Sequence, residues 1–262
     1  MSFGKWIGGS IGWSIGGPIG AIAGFALGAL FDNGFGDQEQ NQKAYQNAQG
    51  QQQTKAGDFG MSMVILSAAV MKADNKIMKS ELDFVKAYLV QQFGQTHAKE
   101  LISALKEVLK TDVPVRQVCL QIRANMSHPM RLQLLHYLFG IGYADGVVGR
   151  IELNTLNTMA RYLGISQKDF FSINAMFGGG QGSQSGSRTG SSSLGVSASY
   201  KILEIDSTAT DSEVKKAYRK MAKKYHPDKV AALGPDFQNA AKEKFQKVQQ
   251  AYEEVKDSRG MN

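Results

Sequence analysis

Residues 178 to 198 read GGGQGSQSGSRTGSSSLGVSA, and no other feature limits the architecture of this chain so strongly. The tract holds too little apolar surface to offset the entropy of ordering it, so the chain on either side must fold as separate units. As a random coil of about 21 residues its end-to-end distance is on the order of 25 Å, long enough for the last unit to swing toward a partner. Three further shifts divide the rest. Residues 6 to 31 carry no charge, residues 32 to 57 are rich in Gln, Asn and Gly, and residues 58 to 177 show helical periodicity throughout. The expected organisation is an all-α chain: an apolar segment at 1–31, a Gln-rich linker at 32–57, a helical domain at 58–177, a Gly/Ser-rich linker at 178–198 and a second helical domain at 199–262.

Between Lys5 and Asp32 lie 26 uncharged residues, more than the roughly 20 that a helix needs to cross about 30 Å of hydrocarbon. Gly4, Gly8, Gly12, Gly16, Gly20, Gly24 and Gly28 recur at every fourth position. In lipid such a row lets two helix backbones approach closely, so Gly8, Gly12, Gly16, Gly20, Gly24 and Gly28 are the expected packing residues of a transmembrane helix that self-associates into a homodimer or higher oligomer. A four-residue step drifts about 40° per step from the 3.6-residue turn and favours a right-handed crossing. Pro18 is a candidate kink. Two other readings stand beside this one. A glycine-rich arm outside the membrane is one, because glycine is a poor helix former in water; the uncharged length weighs against it. A cleaved signal peptide is the other, because Ala21 and Ala23 have the small-residue spacing of a cleavage site; the apolar run continues past them to Phe31, and only Lys5 precedes it. Flanking charge does not set orientation, since Asp32, Asp37 and Glu39 precede Lys43 and Lys55.

Residues 73 to 82 read ADNKIMKSEL and residues 144 to 153 read ADGVVGRIEL, matching at Ala, Asp, Glu and Leu with a constant offset of 71. Each copy follows an apolar helix and precedes an amphipathic one, so the domain is a duplicated helix–loop–helix unit. Further helices are expected from Thr96 to Lys110, Pro114 to Met126 and Ser166 to Phe177, with Thr96 and Ser166 as N-caps, Pro114 and Pro129 in first turns and Gly164 at a C-cap. About seven helices result. The DxxxxxxE spacing matches the second half of an EF-hand loop, but the upstream ligand positions would be Val70, Lys72, Ile141 and Tyr143, which supply no carboxylate oxygen; an EF-hand is excluded. In one reading Asp74 and Asp145 satisfy loop amides while Glu81 and Glu152 favour helix N-termini. In the other, pseudo-twofold packing brings Asp74, Glu81, Asp145 and Glu152 together as a divalent-metal site. The pattern resembles the TerB-like helical domain, and the resemblance implies metal or partner binding.

The string TDSEVKKAYRKMAKKYHPDK runs from Thr210 to Lys229. Thr210 and Glu213 form a capping-box signature. Val214, Ala217, Tyr218, Met221, Ala222 and Tyr225 make one apolar face, leaving Lys215, Lys216, Arg219, Lys220, Lys223 and Lys224 mostly on the other. Pro227 disfavours a helical conformation at His226 and forces a loop that presents His226 and Asp228. A second helix from about Asp236 to Lys256 carries Phe237, Ala241, Phe245, Val248, Tyr252 and Val255, and the two are expected to form an antiparallel hairpin closed by Tyr200 and Leu203. A short YKIL helix, a KKAYRK helix, HPDK and a KFQKVQQAYEEV helix in this order resemble J domains over about 60 residues. That resemblance implies that His226, Pro227 and Asp228, with Lys215, Tyr218, Arg219, Lys220 and Lys223, dock on an Hsp70 of the DnaK type and accelerate its ATP hydrolysis, with no bond made in this chain. The Gly/Phe-rich region, CxxCxGxG repeat and long client-binding domain of many J proteins do not follow. The whole arrangement resembles the DjlA family of membrane-anchored J proteins.

The resemblance implies a co-chaperone in the bacterial inner membrane, single-pass, with the C-terminal domains in the cytoplasm where ATP and Hsp70 are. An adaptor or sensor of metal or stress, acting through the TerB-like domain, is the alternative. Enzymatic function is not expected: His97, His128 and His136 lack a Cys, Ser or acidic partner at catalytic spacing. No cofactor is expected beyond the divalent metal. The formal net charge of +7 clusters chiefly on the 210–225 helix, whose partner the motif supplies, so no nucleic acid is expected. The single cysteine, Cys119, excludes an intrachain disulfide and lies in an apolar run, where a buried thiol is expected.

Overall fold

The computed structural model describes residues 17–26, 55–177, 195–233 and 235–261. Every regular element among the described residues is helical: after a helical stretch over 17–26 come α1 (Lys55–Met71), α2 (Lys79–Val108), α3 (Val115–Asn125), α4 (His128–Gly142), α5 (Arg150–Tyr162), α6 (Gln167–Met176), α7 (Val196–Ile202), α8 (Asp211–Lys224), a 3₁₀ turn (Pro227–Leu233) and α9 (Pro235–Arg259).

The apolar helices of the two repeats, α1 and α4, form the centre of the first bundle. Met63, Val64, Ile65 and Leu66 in α1, and Leu134, Leu135, Leu138 and Phe139 in α4, are all fully buried; helices apolar around their circumference must be enclosed. α1 touches α2, α3, α4 and α5. The buried Ser67 hydroxyl is satisfied by the Met63 carbonyl at 2.6 Å and the Tyr137 hydroxyl at 2.7 Å, as an interior polar group requires. At Gly140 a Cβ would lie 2.4 Å from Phe84 Cζ, so glycine is what lets α2 approach α4 this closely.

Chain punctuation follows the sequence closely. Pro114 precedes α3, Pro129 sits in the first turn of α4, the Ser166 hydroxyl accepts from the Asp169 amide at the start of α6, and Gly164 takes φ +68° after α5. One difference concerns residues 79 to 110. Here α2 continues through Thr96, and its interruption is at Gly94, with φ 71° and ψ 168°. Glycine adopts that conformation without Cβ strain, and the helix resumes directly after it, leaving Thr96 no capping position.

The second unit begins earlier than the composition indicates, since α7 starts at Val196, three residues inside the Gly/Ser tract. α8 and α9 form the hairpin. Ile202, Leu203, Val214, Ala217, Met221, Val248, Ala251 and Val255 make its core, with Tyr200 and Tyr225 buried beside them; Phe237 lies outside the described side chains. Arg259 ties the end of α9 to the opposite loop. Its guanidinium donates to the Tyr200 hydroxyl, the Ala209 carbonyl, the Ser207 carbonyl and Asp211 Oδ1.

Gly8, Gly12, Gly16 and Gly28 lie outside the described residues, whereas Gly20 and Gly24 belong to the helical stretch over 17–26. Gly17 takes φ +60° immediately before Pro18, and the Ile19 amide donates to Gln121 Oε1 on α3 at 3.0 Å. Among the described residues no helix is long and apolar enough to cross a membrane.

Candidate functional site

The loop after α8 is held from both sides. Tyr225 closes the helix at φ −99° and ψ 15° with 5% of its surface exposed, and Val230 anchors the following turn at 3%. Pro227 explains the break: its ring disfavours a helical residue before it, and its fixed φ starts the 3₁₀ turn. His226 Nδ1 accepts from the Asp228 amide at 3.3 Å and lies 3.5 Å from Asp228 Oδ2. The imidazole meets the ring of Phe245 on α9 edge-on, with centroids 6.2 Å apart. The side chains of His226 and Asp228 are nevertheless 49% and 84% exposed. A fixed backbone thus carries outward polar groups.

Lys215, Arg219, Lys220 and Lys223 are exposed along α8. Tyr218 is half-buried and stacks on Tyr252 at 4.4 Å between centroids, so it braces the two helices. Lys220 lies 3.5 Å from Glu204. Burial raises the Glu204 carboxyl, and the Lys220 charge works against that rise.

The four repeat carboxylates make local bonds of one kind in both copies. Asp74 Oδ1 accepts from the Lys76 amide at 2.9 Å, and Asp145 Oδ1 from the Val147 amide at 3.2 Å. Glu81 Oε2 accepts from the Met78 amide and Glu152 Oε2 from the Gly149 amide, each at 2.7 Å, at the N-termini of α2 and α5, where an acceptor is needed. The packing also brings the two glutamates near each other. Glu81 is 4% exposed, and its Oε1 has no hydrogen-bond partner. Burial, with added repulsion from Glu152 and Asp74 and opposition from the Met78 amide, pushes its carboxyl up to about 7. Among the described residues no three or more His, Cys, Asp or Glu side chains are placed to hold a metal ion.

The histidines outside the loop have packing or surface surroundings. His97 lies near Glu100 at 3.6 Å, His128 Nε2 is 3.9 Å from Asp169 Oδ2, and His136 meets Phe177 at a tilt of 50° with centroids 4.5 Å apart. Cys119 is buried, and burial pushes its thiol up to about 12, which leaves it unreactive.

A third group of residues joins the two helical units. The Ser172 hydroxyl on α6 donates to the Ile202 carbonyl at 2.8 Å, and Lys247 Nζ on α9 donates to the Met176 carbonyl at 2.7 Å. Lys224 reaches both Asp169 and Glu204, and Lys244, only 2% exposed, donates to Gln133 Oε1. Burial pushes Lys224 down to about 8 and holds Lys244 well below the ordinary lysine range. Sequence reading missed Lys244, although a signal was present: position 244 falls on the buried stripe with Ala241, Val248 and Val255. A lysine at a core position marks a surface covered by something polar.

Family models match the same parts of the chain. Residues 61–175 match tellurite resistance protein TerB, residues 198–260 match the DnaJ domain, and residues 1–49 match the co-chaperone DjlA transmembrane domain. The co-chaperone protein DjlA of Vibrio cholerae is 31% identical over 285 aligned positions, covering 99% of this chain and 99% of that protein. The DjlA protein of Shewanella oneidensis is 32% identical, covering 99% and 98%, and that of Vibrio vulnificus strain CMCP6 is 31% identical, covering 78% and 79%. The chain belongs to the DjlA family of co-chaperones. No solved structure matches it. Family membership makes it a J-domain co-chaperone with an N-terminal segment of transmembrane type, and α7–α9 with the His226–Asp228 loop are its J domain.

The glutamate pair gives a pH prediction. Between about pH 4.5 and 7 the folded chain holds a proton on Glu81 that the unfolded chain has released, so stability falls as pH rises through that window. Glu81→Gln, which cannot ionise, is expected to flatten that segment of a denaturation-midpoint series measured from pH 4.5 to 7.5.

Proposed function

We propose that this DjlA-family chain stimulates the ATPase of a DnaK-type Hsp70 and localises that Hsp70 at the bacterial inner membrane. His226, Pro227 and Asp228 form the docking loop. Lys215, Arg219, Lys220 and Lys223 supply positive charge that steers an acidic partner, while Tyr218 holds the presenting helix to α9. The observation that carries this reading is a His-Pro-Asp loop fixed by Tyr225, Phe245 and Val230 yet open to solvent at both polar side chains. The chain regulates a partner's chemistry and makes no bond itself.

The membrane part of the reading rests on residues 6 to 31 and the transmembrane-domain match over 1–49. Insertion takes the 17–26 helix away from Gln121, and the glycine row then pairs helices into a homodimer or higher oligomer. A single pass with α1–α9 in the cytoplasm puts the J domain where ATP and Hsp70 are.

In single-turnover assays with a DnaK-type Hsp70, the full chain is expected to speed ATP hydrolysis by about tenfold or more, a barrier change of about 1.4 kcal/mol. The gain is expected to vanish in His226→Gln and to shrink as salt rises. No stimulation, or equal stimulation by the variant, contradicts the reading.

A second reading, a divalent-metal sensor acting through the TerB-like bundle, is favoured by the buried Glu81 carboxyl, which has Glu152 and Asp74 as its charged neighbours. Asp74 and Asp145 have to leave their loop amides to complete such a set. Calorimetric titration with calcium, magnesium and zinc checks it: heat of binding that Glu81→Gln abolishes supports a site, and no heat in the parent chain removes it.

A further inference from the structure

We infer that the α4–α6 face of the TerB-like bundle is a docking surface for the chain's own J domain, and that this closed state competes with Hsp70. The competition with Hsp70 rests on the proposed function, whereas the closed state itself does not. Four observations carry it. The contacts are specific and span a long tether: Ser172 to Ile202, Lys247 to Met176, Lys224 to Asp169 and Lys244 to Gln133 join residues on opposite sides of the Gly/Ser tract. Burial is deep, with Ser172 fully enclosed and Lys244 2% exposed, the Lys244 ammonium being covered from the TerB-like side by Gln133.

The docked position also sets α4 and α6 beside part of the basic face. A cleft of about 410 Å³ between the units is lined by His128, Pro129 and Lys168 on one side and by Lys220, Lys223 and Lys229 on the other. Those J-domain lysines border His226–Asp228, and the turn that follows the loop touches α4 and α1. A protein-sized partner that engages Lys220 and Lys223, both open to solvent, from the side of this cleft meets His128, Pro129 and Lys168 as well. Lys215, Arg219, Lys220 and Lys223 remain exposed, so first encounter is possible in the closed state while full seating beside the cleft requires opening.

Finally, the interface is built to come apart. Lys244 is answered by a neutral amide rather than a carboxylate, and desolvating a lysine cancels much of what its hydrogen bond contributes. Such a surface is weak between separate molecules, but the Gly/Ser-rich sequence that joins Phe177 to Gly195 keeps the two surfaces in one chain at an effective concentration of order millimolar, enough to close it. Closure then lowers the apparent affinity for Hsp70 by the fraction of molecules that are open.

Paired spin labels at Lys106→Cys and Glu253→Cys in a Cys119→Ala background, in the full chain reconstituted in bilayer discs, report the separation of the units. The expected result is one narrow distance for the parent. Ser172→Trp and Lys247→Glu, which wedge and repel the interface, broaden it and lower the concentration of this chain giving half-maximal Hsp70 ATPase stimulation by about three- to tenfold. The double variant Gln133→Leu with Lys244→Met replaces the buried polar pair by apolar groups and shifts both readouts the other way. A parent distribution as broad as that of the wedged variants overturns the closed state whatever Hsp70 does. Unchanged half-maximal concentrations across open and closed variants overturn the competition. Loss of stimulation in the parent itself counts against the proposed function alone.

Discussion

A proline disfavours the right-handed helical conformation in the residue before it, and Pro227 applies that constraint at the end of a strongly basic helix. Much of the J domain is arranged around this stop. The chain turns at His226, the 3₁₀ segment restarts from Pro227, and α9 returns so that Phe245 meets the imidazole. The fixed loop needs a rigid frame, which the Tyr218–Tyr252 stack and the Arg259 bonds supply at the middle and far end of the hairpin. For the proposed docking role this preorganisation matters, because a loop ordered only on contact loses affinity to the cost of ordering.

The repeated carboxylates follow another logic. Each Asp closes its own loop and each Glu caps its own helix, which accounts for the repeat without any ligand. Duplication adds a consequence that neither copy has alone. Two capping glutamates meet, and one keeps a proton toward neutral pH. The bundle thus acquires a titrating group from ordinary helix-end chemistry.

Local features were legible in the sequence. The stops at Pro114, Pro129, Gly164, Ser166 and Pro227 are set by backbone sterics and by hydrogen bonds to nearby amides, so short strings reveal them. The Thr210 cap and the buried face of Val214, Ala217 and Met221 are of the same kind. Two things were not legible. The break at Gly94 instead of Thr96 turns on whether a helix resumes after a glycine, which tertiary packing decides. The interface through Asp169, Gln133, Lys224 and Lys244 pairs residues more than 50 positions apart, and no periodicity links them; only the lysine within the apolar stripe of α9 pointed to it.

The proposed docking loop and the proposed closed state together describe a co-chaperone whose activity depends on opening. Hydrogen exchange on the full chain, with and without ATP-bound Hsp70, tests that claim most directly. The account predicts that amides at 226–230 gain protection while those of α6, Gln167–Met176, lose it in the same complex. Protection of α6 that stays level or rises as the loop becomes protected would contradict it.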